Sequence, residues 1–405
     1  MRRTLAVSIV AALLCGPPAH GAESAVPTAP AAAATAPPPA PAETPPALDL
    51  QEAVVRIPVT VKDQYGRQET RQIPITIYRP AGNGPWPLFV FNHGRATPEK
   101  RAQEGRYRPE VLARYLVDKG FVVMVPMRIG YAENFGDYDP ESSGACNHPH
   151  VEPPSIAASD QVLATVNYAR TLPYVDASRW LVGGQSMGGT TSIATVGRAP
   201  AGLLAGVNFA GGSGGDPEHN PGKPCGPSAL TRYWGSLAAH AKVPMLWLYW
   251  QNDKYWGPDL PKEWHQAWVQ NGGRAEFHQF PPSGEDGHSG LSRDFEHWLP
   301  VVDHFLRELG FTRDAIVPRP APSGYAALAD ASKVPLSARN KAAYDKFLAS
   351  PLPRALAVSD KGGYGMSTAS AYAWGLALGH CRRWGQTCTL YAVDNDVVYI
   401  APQRN

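Results

Sequence analysis

Charge is scarce in this chain and evenly split: Lys and Arg total 37 against 35 Asp and Glu in 405 residues, a formal net charge of +2. So even a balance gives no electrostatic reason for a nucleic acid or an acidic membrane as partner, and a small or neutral ligand is the expectation. Long apolar runs are lacking too. The run from Leu5 to Leu14 is too short to cross a bilayer. It follows Arg2 and Arg3 and precedes Ala19-His20-Gly21, so residues 1–22 read as a secretory signal, and no stable membrane insertion is expected once that signal is cleaved. Cysteine is the third scarcity, with five residues. Cys15 lies inside the signal, where Leu14 precedes it in place of the small residue a lipoprotein site needs. Removing the signal leaves Cys146, Cys225, Cys381 and Cys388, an even number that suits an oxidising compartment, periplasmic or secreted. These four allow three pairings.

Proline and alanine are present in excess, and they set the domain plan. Residues 23–49 are almost entirely Ala, Pro, Thr and Ser, too poor in apolar surface to offset the entropy of ordering, and read as a disordered tether. A second Pro-rich linker is expected at 313–324, around Val317-Pro318-Arg319-Pro320. Between the two, residues 50–312 have the length of one enzyme-sized core. Residues 325–405 read as a small α+β unit, with helices near 341–348 and 374–381 and strands near 355–358, 389–393 and 397–400.

Within the large domain, 54–61 and 72–78 are rich in β-branched residues and flank the polar Lys62-Asp63-Gln64-Tyr65-Gly66, which predicts a hairpin-like strand pair. Continuous apolar runs follow at 88–91, 121–125, 180–182, 207–209 and 245–250. Runs of this kind are buried on both faces, as in a mostly parallel sheet. The segments between carry helical spacing, as at Val111, Leu112, Tyr115 and Leu116, and at Phe295, Trp298, Leu299 and Val302. Repeated strand-then-helix units give helices on both faces of the sheet, with the ligand site at the carboxyl ends of the strands.

Gly184-Gln185-Ser186-Met187-Gly188 follows one such strand and opens into a helix. Glycines two before and two after the serine suit a sharp strand-to-helix turn that exposes the hydroxyl. With 39 Gly in the chain, the bare pattern would arise by accident in roughly a fifth of such chains, so its strand-turn-helix setting carries the argument. A serine hydroxyl needs a base, and the base needs an oriented acid, in the chain order Ser, acid, His. Asp253 stands just past the strand 245–250, with Asp259 as a rival acid; His288 stands on the last loop before the terminal helix, whereas His278, His297 and His304 fall inside a strand or helix. The expected triad is Ser186, Asp253 and His288. An oxyanion hole needs two backbone N–H groups, expected from Met187 and from Arg95 in His93-Gly94-Arg95, where Gly94 permits close approach and His93 serves loop structure.

Phe91-Asn92-His93-Gly94, Gly184-Gln185-Ser186-Met187-Gly188-Gly189, Asn252-Asp253 and Gly287-His288 together resemble the dienelactone-hydrolase-like branch of the α/β-hydrolase superfamily, over roughly residues 54–311. The resemblance implies an eight-stranded α/β-hydrolase fold, the triad just named, and action on esters without a cofactor. Dienelactone hydrolases proper use a cysteine nucleophile, whereas this chain has Ser186, which favours an ordinary esterase over a dienelactone hydrolase.

The long segments 127–154 and 211–227 both begin at strand ends and should overhang the site, so Cys146 is expected to pair with Cys225 as a clamp on its rim, and Cys381 with Cys388 locally. Tyr255 and Trp256, just beyond a strand, could wall the substrate. His148, His150 and His219 lack spaced acids and read as surface residues rather than metal ligands. The reading is an exported serine hydrolase acting on a small-molecule ester. Its rivals are an oligopeptidase-like serine peptidase, whose usual propeller has no room ahead of the oxyanion loop, and a non-catalytic envelope binding protein, which an intact triad disfavours.

Overall fold

The computed structural model describes residues 46–370 and 372–401. The expected signal, Cys15 and nearly all of the expected tether lie outside them. Packing begins at Ala47, which is fully buried and donates its N–H to Glu52 Oε2 at 2.7 Å. Leu48 N–H bonds Arg383 O at 3.0 Å. Residues 47–49 are therefore part of the fold, although they fall within the stretch expected to be a tether.

β1 (Ala53–Lys62) and β2 (Gln68–Tyr78) form an antiparallel hairpin. Its turn is set by Asp63 Oδ1, which accepts from the N–H groups of Tyr65 and Arg67 at 2.9 Å each, and by Gly66 at φ +86°. Then come β3 (Trp86–Asn92), α1 (Pro98–Gln103), α2 (Glu110–Asp118), β4 (Val122–Pro126), α3 (Glu152–Ala169), β5 (Val175–Gln185) and α4 (Met187–Gly197). The domain continues with β6 (Leu203–Phe209), α5 (Pro227–Ala238), β7 (Met245–Trp250), α6 (Leu260–Gln270), β8 (Ala275–Phe280), α7 (Gly290–Arg293) and α8 (Phe295–Glu308).

The sheet has eight strands in the order β1-β2-β4-β3-β5-β6-β7-β8, parallel from β4 through β8. This is the α/β-hydrolase fold. β4 and β7 are buried at every residue. β5 sits centrally, with Asn92 beside Gly184 and Gln185 beside Phe209, so β3, β5 and β6 end level with one another. The residues just past those ends are thereby gathered on one edge.

α3 was not singled out in the sequence because it shows no apolar stripe. Its buried residues are small or polar, among them Ser155, Ala158, Ser159 and Thr165, and they spread around the helix. Small side chains let it lie close to α4, where Thr195 Oγ1 and Ser159 Oγ are 3.0 Å apart.

The C-terminal domain comprises α9 (Ala342–Ala349), β9 (Arg354–Ser359), β10 (Tyr364–Thr368), α10 (Ala373–Arg382), β11 (Cys388–Val393) and β12 (Asp396–Val397). Its four strands form an antiparallel sheet in the order β10-β9-β11-β12. β10 occupies the Gly/Ser/Ala-rich stretch for which no strand was expected. A Cβ on Gly365 would sit 2.2 Å from Ala377 O, so small residues there let α10 pack against the strand. The Pro-rich segment before this domain is bonded to it: Val317 N–H donates to the Tyr372 hydroxyl at 3.0 Å, and Trp374 Nε1 donates to Val317 O at 2.8 Å.

Candidate active site

Ser186 sits between β5 and α4 at φ +56° and ψ −123°, a conformation that costs a non-glycine residue about 1–3 kcal/mol. The surroundings hold it there. Its N–H bonds Phe209 O at 3.0 Å, and its carbonyl accepts from Thr190 N–H at 3.1 Å. The flanking glycines have no room for a side chain: a Cβ on Gly184 would lie 2.3 Å from Gly188 O, and one on Gly188 would lie 2.0 Å from Asn92 O.

Asp253, 2% exposed, follows β7. Its Oδ1 accepts from the N–H groups of Tyr255 at 2.8 Å and Trp256 at 3.2 Å, and its Oδ2 lies 2.9 Å from His288 Nδ1. With Nδ1 donating to this carboxylate, Nε2 is left as the basic nitrogen. Asp259 lies at the start of α6 and pairs with exposed Lys262.

His288 is anchored on all sides. Its N–H donates to Asp286 Oδ1 at 3.0 Å, and the same oxygen accepts from Lys254 N–H at 2.9 Å, tying the acid loop to the histidine loop. Gln185 Nε2, from the residue before Ser186, donates to His288 O at 2.7 Å, and the Tyr107 hydroxyl donates to Gln185 Oε1 at 3.4 Å. The Tyr255 ring stacks on the imidazole at 3.9 Å and 23°. These partners join Ser186, Asp253 and His288 into one neighbourhood. No hydrogen bond joins Ser186 Oγ to the imidazole among the described residues; such contacts commonly tighten only once substrate is bound.

Gly94 faces the serine: a Cβ there would lie 3.3 Å from Ser186 Cβ. His93 is buried, its Nδ1 on Gly94 O at 2.7 Å and its Nε2 accepting from Arg128 N–H at 3.2 Å. Burial, with Arg128 beside it, pushes its pKa well below the usual imidazole value, so His93 stays neutral and braces the loop. The Arg95 guanidinium bonds Asp139 Oδ1 at 3.1 Å. Met187 is the first residue of α4, where an N–H has no acceptor within the helix. Behind the loop, Arg128 and Glu141 form a fully buried ion pair, and the Tyr131 hydroxyl donates to Glu141 Oε2 at 2.7 Å.

Trp256 cannot wall the substrate. It is 2% exposed, donates Nε1 to Ala210 O at 2.8 Å and sets its ring edge-on to His288 at 5.5 Å, so it forms the floor beneath the histidine. Tyr255 is half-buried and covers the imidazole face. Cys146 bonds Cys225, joining the segments that follow β4 and β6, and Cys381 bonds Cys388, joining α10 to β11. His219 is exposed and pairs with Asp216 at 3.0 Å, and His148 and His150 are exposed.

The sequence profile of the Dienelactone hydrolase family matches residues 108–294, a stretch containing Ser186, Asp253 and His288. Over that stretch the chain is similar in sequence to this family. No curated relative matches it. Among solved structures, the chain is similar to a candidate dienelactone hydrolase from Klebsiella pneumoniae subsp. pneumoniae, at 19% identity and a TM-score of 0.42, over 64% of this chain and 98% of that one. It is similar to Thermogutta terrifontis esterase 2, at 17% identity and a TM-score of 0.42, over 62% and 92% of the two chains. It is also similar to the Pyrococcus horikoshii acylaminoacyl peptidase, at 13% identity and a TM-score of 0.45, over 67% of this chain and 43% of the peptidase. This chain therefore spans less than half of the peptidase.

Gln185, Tyr107 and Asp286 went unremarked in the sequence. Gln185 reaches a carbonyl 103 positions further on, which no local pattern signals. Asp286, two residues before His288, carries the spacing of a side-chain cap.

Proposed function

We propose that this protein is an exported serine hydrolase that cleaves small carboxylic esters through an acyl-enzyme. The observation that carries this reading is the His288 imidazole, bonded to buried Asp253 through Nδ1 and tied through its carbonyl to the residue before Ser186. His288 Nε2 takes the proton as Ser186 Oγ attacks the ester carbonyl, and Asp253 stabilises the imidazolium that forms. The N–H groups of Met187 and Arg95 receive the oxyanion. Collapse expels the alcohol with the proton from His288, and water, deprotonated by the same imidazole, then releases the acid.

Export is supported by the leader-like residues 1–22 and by two disulfides, which persist in oxidising compartments. No helix among the described residues is long and apolar enough to cross a membrane. A panel of p-nitrophenyl esters beside the matching p-nitroanilides tests the reaction class. Ester turnover well above anilide turnover supports the reading, and preferential anilide cleavage would point to a peptidase.

A further inference from the structure

A cavity of about 210 Å³ lies between α2 and α10 and shares no residue with the Ser186 site. It has room for roughly seven waters or one amino-acid-sized molecule. Its body is apolar, formed by Leu50, Val111, Val117, Leu299, Val317 and Leu376. Its polar lining is largely engaged already. Arg114 bonds Asp49 at 3.2 Å and Glu110 at 2.9 Å, the Tyr115 hydroxyl donates to Asp303 at 2.9 Å, and the His380 ring meets Met366 O at 2.9 Å.

Two groups are left over. Asp118 closes α2 and Arg382 closes α10, so they line the cavity from two different helices, and neither side chain makes a hydrogen bond or ion pair with any described residue. Both act electrostatically on the Tyr372 hydroxyl. Asp118 is exposed where it lines the cavity, yet partial burial raises its pKa above the ordinary carboxylate value, with Arg382 the foremost cation opposing the rise. A cavity with an apolar body and a few convergent polar groups has the build of a small-molecule site. A lone anion would leave Asp118 facing it, and a lone cation would leave Arg382 unpaired and partly desolvated; a molecule carrying both charges satisfies the two walls together.

We propose that this cavity binds a small zwitterion with an apolar body, an amino acid of the leucine type, with its ammonium on Asp118 and its carboxylate on Arg382. The site is independent of ester hydrolysis, and either idea can fail without the other.

Calorimetric titration of the full chain with L-leucine, 3-methylbutylamine and 3-methylbutanoate tests it. Saturable binding of L-leucine, with the amine and the acid each at least tenfold weaker, is the expected result. Asp118→Asn should weaken leucine at least tenfold and leave the acid unchanged, and Arg382→Gln should weaken leucine at least tenfold and leave the amine unchanged. Prior labelling of Ser186 should leave leucine binding intact. The proposal is overturned if L-leucine gives no saturable heat, if both variants bind it like the parent, or if occupying Ser186 abolishes it.

Discussion

Glu104 stands near Arg101 and Arg128 with one carboxylate oxygen buried and unpartnered. Burial pushes its pKa up to about 7, against the opposing charges of Arg101 and Arg128. In the unfolded chain the same group ionises in the ordinary carboxylate range, so between that range and about pH 7 the folded state holds the extra proton. Folding stability therefore falls as pH rises across that window. Glu104→Gln should remove the effect, gaining about 1–2 kcal/mol at pH 8, after a discount for the solvent-screened part of the side chain, and nothing at pH 4. Urea unfolding at the two pH values checks it, and equal effects at both would contradict it. Tyr255 is argued from contact geometry. A ring stacked 3.9 Å from the imidazole is worth about 0.5–1.5 kcal/mol beyond its buried area. Tyr255→Leu should lower kcat roughly three- to tenfold with KM little changed, while Tyr255→Phe should stay near the parent. A rise in KM alone would make Tyr255 a substrate contact rather than a positioning residue.

At the scale of elements, the junction of β5 and α4 depends on missing side chains. Gly188→Ala would set a Cβ 2.0 Å from Asn92 O, a backbone atom that cannot swing away. A cost of about 3 kcal/mol is expected as α4 is forced off the end of β3, and denaturant midpoints should show it. Such steric demands were partly legible in advance, because a glycine-flanked serine after a strand has few other uses. β7 occurs at the residues its apolar pattern indicated, Met245–Trp250, which is what put Asp253 just past a strand end. α3 and β10 escaped notice for one physical reason. Both bury mainly small residues that pack by close approach, which leaves little hydrophobic periodicity to read. The supports of the site were hidden differently, since Tyr107, Gln185 and Asp286 act across loops that are distant in sequence.

At the scale of the whole molecule, two crosslinks of very different span constrain the chain. Cys146 and Cys225 are 79 positions apart, and Cys381 and Cys388 are 7 apart. Closing the longer loop removes more freedom from the unfolded chain, so the double variant Cys146→Ala/Cys225→Ala should lose about 2 kcal/mol more stability than Cys381→Ala/Cys388→Ala. Urea unfolding of the two double variants compares them, and equal losses would place the effect in the folded state instead. The fold itself turns on a sheet whose central strands end level, which gathers an acid, a base, a hydroxyl and a glycine loop from four separate stretches of chain. The claim that these four act as one catalytic unit is tested most directly by exposing the protein to a fluorophosphonate and mapping the adduct by mass spectrometry. A single adduct on Ser186, lost in Ser186→Ala and slowed by orders of magnitude in His288→Ala, is the predicted result. An unlabelled Ser186 in a folded protein, or labelling unaffected by removal of His288, would contradict it.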